Sequence, residues 1–233
     1  MTEYDNIIVI PYRNRKRQLD YFITNTVPLF KQHLPNTKIV VVEQNKGKLF
    51  NRGKLLNVVF KEYKDKTKFF ITHDVDLNPT AKSINEYYSR DIENEKKVLG
   101  ILTSPCDTLG GIIKIRNDTI HTINGFPNDI WGWGAEDKAL QNRAEFFKVV
   151  KESIFLHTCK VRNDEYFITF DDVNDRNDVN HNKNRILQYN QFKTFNANKK
   201  QNIIMQSGIN NITYTILEQT AINDMVELIK VEI

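Results

Sequence analysis

The sequence predicts an α/β fold with a mostly parallel central sheet flanked by helices. Two observations carry that reading. Residues 6–11 (NIIVIP), 38–43 (KIVVVE) and 68–72 (KFFIT) are short, continuous apolar runs. Such runs suit strands buried on both faces. Between them lie two stretches with apolar residues at helical spacing. Strand, helix, strand, helix, strand is the pattern of parallel strands joined by crossover helices.

Each element can be justified in turn. Residues 19–34 place Leu19, Phe22, Ile23, Val27, Phe30 and Leu34 on one helical face, with a break near Pro28. Residues 54–63 repeat the pattern with Leu55, Leu56, Val59, Phe60 and Tyr63. Further along, strands are expected at 98–102 and 109–115. The second opens on Gly110-Gly111, where the missing Cβ permits close backbone approach. A short helix is expected over 117–123, capped by Asn117 or Asp118, and a longer one over 136–147. Residues 153–158 and 166–170 read as strands. Residues 171–202 are polar and Asn-rich, a long loop with one helix around 185–195. Residues 212–217 and 227–233 read as closing strands. No repeat or linker divides residues 1–233, so a single domain is expected.

Composition narrows the function. With 233 residues, 40% of them hydrophobic, and 14 Phe with 9 Tyr, the chain can build a core and is not disordered as a whole. Its longest apolar runs, such as Ile7-Ile8-Val9-Ile10, fall far short of the about 20 residues of a membrane span. The first residues hold no apolar stretch of signal-peptide type. Two cysteines, Cys106 and Cys159, exclude a disulfide framework and a four-cysteine zinc site. They suit a reducing compartment, so a cytoplasmic location is expected. A net charge of +4 with mixed signs argues against nucleic acid. The densest basic cluster, Arg13, Arg15, Lys16 and Arg17, suits a phosphate-bearing small molecule.

Open sheets of this kind bind ligands beyond the carboxyl ends of their strands. Three segments sit there: residues 11–17, 43–54 and 74–76. Asp74-Val75-Asp76 follows a buried strand directly, and its paired carboxylates suit a divalent metal and a diphosphate. Residues 130–137 (IWGWGAED) combine two tryptophans, two glycines and an acidic pair. Tryptophans offer flat faces to sugar rings, and a carboxylate beside them can act as general base. The acids also open a helix, where its dipole favours them. Pro11-Tyr12-Arg13-Asn14-Arg15 offers guanidinium groups to phosphate. Phe50-Asn51-Arg52-Gly53-Lys54 offers an aromatic face, a cation and free amides at a helix start. The five histidines, at 33, 73, 121, 157 and 181, form no metal-binding pair. Dinucleotide, P-loop and serine-hydrolase motifs are absent.

The ordered set IPYRNR, FNRGKLLN, HDVDLNP, LGGIIKI, INGFPNDIWGWGAED and NHNKNR, with GINNITYTI near the end, resembles the β-1,4-galactosyltransferase family. The resemblance runs from about residue 7 onward. It implies an inverting glycosyltransferase of the GT-A fold, with a nucleotide-sugar-binding half at about 1–115 and an acceptor half at about 116–233. Animal members carry an N-terminal membrane anchor, so this sequence looks like a bare catalytic domain of microbial or viral type, monomeric or weakly oligomeric. Pro11, Tyr12, Arg13 and Arg15 would hold uridine diphosphate, with Phe50 and Arg52 on the nucleotide. Asp76 would ligate Mn²⁺ or Mg²⁺, supported by Asp74, and Asp74 and Val75 would also contact the donor. Gly110 and Gly111 would line the donor sugar, and Trp133 would close over it. Glu136 would orient the sugar or acceptor, and Asp137 would be the catalytic base. The substrates implied are UDP-galactose or UDP-GalNAc and a saccharide acceptor.

Three departures qualify the resemblance. Lys138 stands where the family often has a third acid. Thr108 stands where galactose-specific members carry tyrosine, leaving room for an N-acetyl group. The metal site is completed by Asp172 and Asn174 in an ungapped alignment, or by His181 with a small gap. Another UDP-sugar such as UDP-glucose, or a binding module without turnover, remains an alternative.

Overall fold

The computed structural model describes residues 2–103, 108–132, 134–156, 165–169, 193 and 196–233. Its centre is an eight-stranded sheet in the order β7-β5-β6-β3-β1-β2-β10-β9. The first three strands are β1 (Tyr4–Tyr12), β2 (Thr37–Gln44) and β3 (Thr67–Thr72). They pair in parallel, with Ile8 of β1 between Ile39 and Ile71. Both faces are covered, which explains the unbroken apolar runs. Ile7, Val9, Val40 and Val42 point to one core cluster, and Ile8, Ile10, Ile39 and Val41 to the other. The period of two divides each strand between the two layers.

One layer is built by α3 (Arg52–Glu62), α5 (Asn117–Thr122) and α6 (Glu136–Phe146). The other is built by α1 (Lys16–Tyr21), a π turn (Phe22–Thr26) and α2 (Val27–His33). The expected break near Pro28 takes this form: Pro28 lacks the N–H that would continue the ladder, and the π turn precedes it. β5 (Lys97–Thr103), β6 (Ile112–Arg116) and β7 (Val150–Leu156) extend one side of the sheet, with β6 antiparallel to both its neighbours. β10 (Val226–Glu232) inserts beside β2 in parallel, and β9 (Thr215–Ala221) closes that edge antiparallel to β10.

Several expectations are corrected. The strand read over 109–115 starts only at Ile112, because Gly111 has a left-handed φ of 74°. Neither expected residue caps α5; Arg116 occupies that position. Asn117 donates instead to the carbonyls of Lys64 and Thr67, and Asp118 pairs with Arg116. The strand at 166–170 is β8 (Phe167–Thr169), which pairs with the unforeseen β4 (Leu77–Pro79) in a separate two-stranded sheet. The helix α4 (Ala81–Ser83) and the π turn Ile84–Tyr88 follow. Within the supposed long loop, α7 (Gln201–Gln206) begins at 201; the helix expected around 185–195 lies outside the described residues apart from position 193.

One buried guanidinium joins the second half together. Arg143 on α6 is fully buried and donates to the carbonyls of Asn124, Gly125 and Ser207 and to Oδ1 of Asn198. Burial pulls its pKa down to about 9. Replacing it by an apolar side chain of similar length removes this donor from the Gly125 and Ser207 carbonyls and leaves the Asn124 carbonyl with only the Ile209 N–H. Arg143→Met is therefore expected to lose about 3 kcal/mol or more in urea unfolding. A loss below about 1 kcal/mol would show that solvent reaches those carbonyls.

Candidate active site

The carboxyl ends of β1, β2 and β3 open on one edge of the sheet, as does the start of antiparallel β6. At that edge β3 runs into His73-Asp74-Val75-Asp76. His73 continues the pairing to β1 through its N–H to the Val9 carbonyl, 2.9 Å. Its ring is buried between the Asp74 carbonyl and the Tyr88 hydroxyl, both at 2.9 Å. Burial lowers its pKa to about 4, so it is neutral near pH 7. The Leu77 N–H meets the Asp74 carbonyl at 3.2 Å and turns the chain.

Arg52, in the first turn of α3, reaches this turn. Its Nε and a terminal nitrogen lie 3.0 and 2.9 Å from Oδ1 of Asp74. The terminal nitrogen also donates to the Gly111 carbonyl at 3.1 Å. That carbonyl receives the Thr72 hydroxyl at 3.0 Å as well. Burial disfavours the charge on Arg52, but Asp74, Glu136 and Asp137 outweigh burial and raise its pKa. The helix start is fixed by Asn51, fully buried. Its side-chain oxygen accepts from the Lys54 N–H, and its amide nitrogen donates to the Asn128 carbonyl, both at 2.8 Å. Its own N–H donates to Gln44 at the end of β2. Sequence reasoning named the segment without assigning Asn51; an Asn just before a helical run is the usual cap signal.

The diglycine meets α6. A Cβ on Gly110 would lie 3.0 Å from Oδ2 and 3.1 Å from Cβ of Asp137. One on Gly111 would lie 2.3 Å from the Leu102 carbonyl oxygen. The Thr108 hydroxyl donates to Oδ2 of Asp137, while Oδ1 accepts the Lys138 N–H at 2.8 Å. Gly132, Gly134 and Ala135 all have left-handed φ angles before α6 begins. The Gly132 N–H donates to the Phe50 carbonyl at 2.7 Å, joining this loop to the start of α3.

The sequence-derived candidates divide by location. Arg13 donates to the Lys48 carbonyl at 2.7 Å and sits 5.3 Å from the Phe50 ring. Pro11 and Tyr12 are buried, and Arg15 is half-buried just before α1. The Val75 side chain lies in the core, so only its backbone faces the turn's chemistry. Asp76 is half-buried two residues beyond Asp74. Trp133, Asp172, Asn174 and His181 lie outside the described residues. Among the described residues, no group of three His, Cys, Asp or Glu side chains is placed to hold a metal by itself.

Comparison with known proteins now bears on this arrangement. Residues 1–89 match the N-terminal region of glycosyl transferase group 7, and residues 102–161 match a family described as the N-terminal domain of galactosyltransferase. The chain belongs to glycosyltransferase group 7. β-1,4-Galactosyltransferase 1 of Bos taurus is 28% identical over 219 residues, covering 91% of this chain and 50% of that protein. β-1,4-Galactosyltransferase 4 of Rattus norvegicus is 31% identical over 187 residues, covering 78% and 53%. This group 7 chain thus spans about half the length of these relatives. The catalytic domain of Drosophila β1,4-galactosyltransferase 7 with xylobiose superposes at a TM-score of 0.72 and 22% identity, covering 98% of this chain and 94% of that one. A mutant of the same enzyme with manganese, UDP-Gal and xylobiose gives 0.70. The fold is GT-A-like, as the sequence led us to expect. No described helix of this group 7 chain is long and apolar enough to cross a membrane.

Glu136 is the electrostatic anomaly of the site. Its Oε2 is out of solvent and has no hydrogen-bond partner among the described residues. Burial first, then Asp137 and Asp74, raise its pKa to about 7 against the pull of Arg52. A raised acid stabilises the fold fully below its ordinary value of 4.5, and that contribution is lost as pH rises through about 7. Wild type is therefore expected to lose about 1–3 kcal/mol relative to Glu136→Gln between those limits. Urea unfolding of both proteins across that range checks it; parallel pH profiles would refute the burial of a charge here.

Proposed function

We propose that this chain is the catalytic module of an inverting transferase. It moves galactose or N-acetylgalactosamine from UDP to a hydroxyl of a glycan acceptor, depends on a divalent metal, and works as a monomer or weak oligomer. One observation carries the reading: Asp74 with Arg52, the diglycine, and Thr108 with Asp137 converge at the carboxyl edge of a GT-A-like sheet. The names of the relatives, β-1,4-galactosyltransferases, support the donor class. The manganese and UDP-Gal bound by the Drosophila enzyme support the cofactor and donor.

Inversion takes one in-line displacement. The acceptor oxygen bonds to the anomeric carbon as the bond to UDP breaks, and the acceptor proton passes to Asp137. Each Asp137 oxygen holds one hydrogen bond and keeps a lone pair for that proton. Carboxylate donors such as Asp76 suit a hard cation, Mn²⁺ or Mg²⁺, better than zinc. Such a cation supplies offset for charge growing on the leaving diphosphate. Asp172 and Asn174, or His181, remain our proposed partners of Asp76. Arg13, stacked on Phe50, offers a cation and an aromatic surface to the nucleotide. Arg52, held by Asp74, acts by fixing the turn that carries Asp76.

UDP release is the direct test. With Mn²⁺ and simple saccharide acceptors, UDP-galactose or UDP-GalNAc should turn over faster than UDP-glucose. Asp137→Asn should keep UDP binding and lose about 10²–10⁴-fold in turnover. UDP binding without turnover of any donor would instead identify a binding module.

Thr108 bears on donor choice as well as on Asp137. Its side chain, beside Gly110-Gly111, is smaller than the tyrosine of galactose-specific members. Thr108→Tyr should lower the UDP-GalNAc to UDP-galactose rate ratio, read with both donors on one acceptor. An unchanged ratio would place the N-acetyl group elsewhere.

A further inference from the structure

A second polar cavity, of about 170 Å³, opens beside Trp131. It is lined by Lys54, Asn128, Asp129, Trp131, Gln206 and Ser207, with Asn211 and Thr213 at its edge. Its lining includes none of Arg52, Asp74, Gly110, Gly111, Thr108 and Asp137, the residues of the transfer centre. Lys54 follows Arg52 by two residues on α3, and residues so spaced point about 200° apart around a helix. Arg52 turns to Asp74, whereas Lys54 turns to Trp131, with Nζ 5.7 Å from the ring centroid.

Lys54 is the unusual group. It is only 9% exposed, yet among the described residues its ammonium has no hydrogen-bond acceptor and no salt-bridge partner. Lys48 also approaches the same indole, at 5.4 Å. Burial, and then Lys48, lowers the Lys54 pKa against the opposing pull of the Asp129 carboxylate at the same cavity. The Lys54 stem is buried while its ammonium, with three donors and no hydrogen-bond acceptor among the described residues, opens on the cavity, where a ligand can supply one. The neighbouring polar groups are largely committed: Asn128 donates to the Gly208 carbonyl and accepts from Asn57. Ser207 donates to Asp129. The groups left to meet a ligand are the Lys54 ammonium, the exposed side chains of Gln206 and Thr213, and the rim carboxylate of Asp129.

We propose that this cavity binds one anionic sugar unit, a pyranose bearing a carboxylate or phosphate that meets Lys54, at a site separate from the transfer centre. The anion meets the Lys54 ammonium through charge-assisted hydrogen bonds. Gln206, Thr213 and Asp129 offer an amide, a hydroxyl and a carboxylate to ring hydroxyls. The volume is below that of pockets for drug-sized ligands and suits a single ring. Nothing in this assignment requires the transferase reading, and the test uses no donor sugar.

The chain has two tryptophans, so the indole N–H resonance of Trp131 can be followed by NMR. Titration with sodium glucuronate and with glucose 6-phosphate should shift it saturably with at least one of them. Which one binds identifies the anion. Glucose and inorganic phosphate should each bind at least about tenfold more weakly than that ligand. Lys54→Met, which keeps the stem and removes the charge, should weaken binding at least about tenfold. Should that variant fail to fold, Gln206→Glu at an exposed position places a negative charge at the mouth and should weaken binding in the same way. The proposal is overturned if neither anionic sugar binds, if glucose or phosphate alone binds as well, if the foldable variant binds like wild type, or if UDP displaces the ligand competitively.

Discussion

The geometry of the sheet edge depends on one guanidinium. Arg52 ties the first turn of α3 to the turn after β3 and to the backbone before β6. These segments are distant in sequence, and without the link each ends in a loop. The Arg52 side chain is 13% exposed and its partner Asp74 is 36% exposed. This is an intermediate environment, where an ion pair with additional hydrogen bonds contributes more than a surface pair and desolvation costs less than in a dry core. Asp74 therefore acts first as an anchor. Its position determines where Asp76 emerges.

The second determinant is close approach. Gly110 lets the Asp137 side chain come within 3.0–3.1 Å of where a Cβ would sit, and Thr108 completes the contact with its hydroxyl. The loop before α6 must therefore deliver the helix from the other side. It does so through left-handed conformations at Gly132, Gly134 and Ala135. Glycine tolerates these freely, but Ala135 carries a cost of roughly 1 kcal/mol. Strain of that size persists where surrounding contacts over-determine the backbone. Here the Phe50 carbonyl, the Arg143 network and the small cluster of Ile130, Ala135 and Ala139 do so.

The parallel core was legible in the sequence because each strand is buried on both faces and therefore reads as an unbroken apolar block. The bounds of β1, β2, β3 and α3 differ by at most two residues at either end from the apolar runs that revealed them. The motifs HDVD and GWGAED were legible because their residue types are rare together. What escaped was set by partners remote in sequence. Leu109-Gly110-Gly111 looked like the start of a strand, but the Gly111 carbonyl is taken by Thr72 and Arg52. Asn117 looked like a cap, but the carbonyls of Lys64 and Thr67 claim it. Arg143 drew no notice within the helix expected over 136–147, and nothing local marks it as the hub of three chain segments.

Charge balance completes the argument about what the edge can hold. Asp74, Glu136 and Asp137 act on a single guanidinium, that of Arg52, and Asp76 follows Asp74 by two residues. His73 directly behind Asp74 cannot assist, because burial keeps its pKa near 4 and its ring neutral. Its two ring nitrogens instead hold the Asp74 carbonyl and the Tyr88 hydroxyl. Burial first, and then the neighbouring Asp137 and Asp74, raises Glu136 to about 7 even beside Arg52. A site in this condition favours cations over anions at its centre. An anionic diphosphate is accommodated there only if positive charge arrives with it. The four carboxylates, a neutral histidine and one committed arginine thus fit the proposed binding of a nucleotide together with a divalent ion.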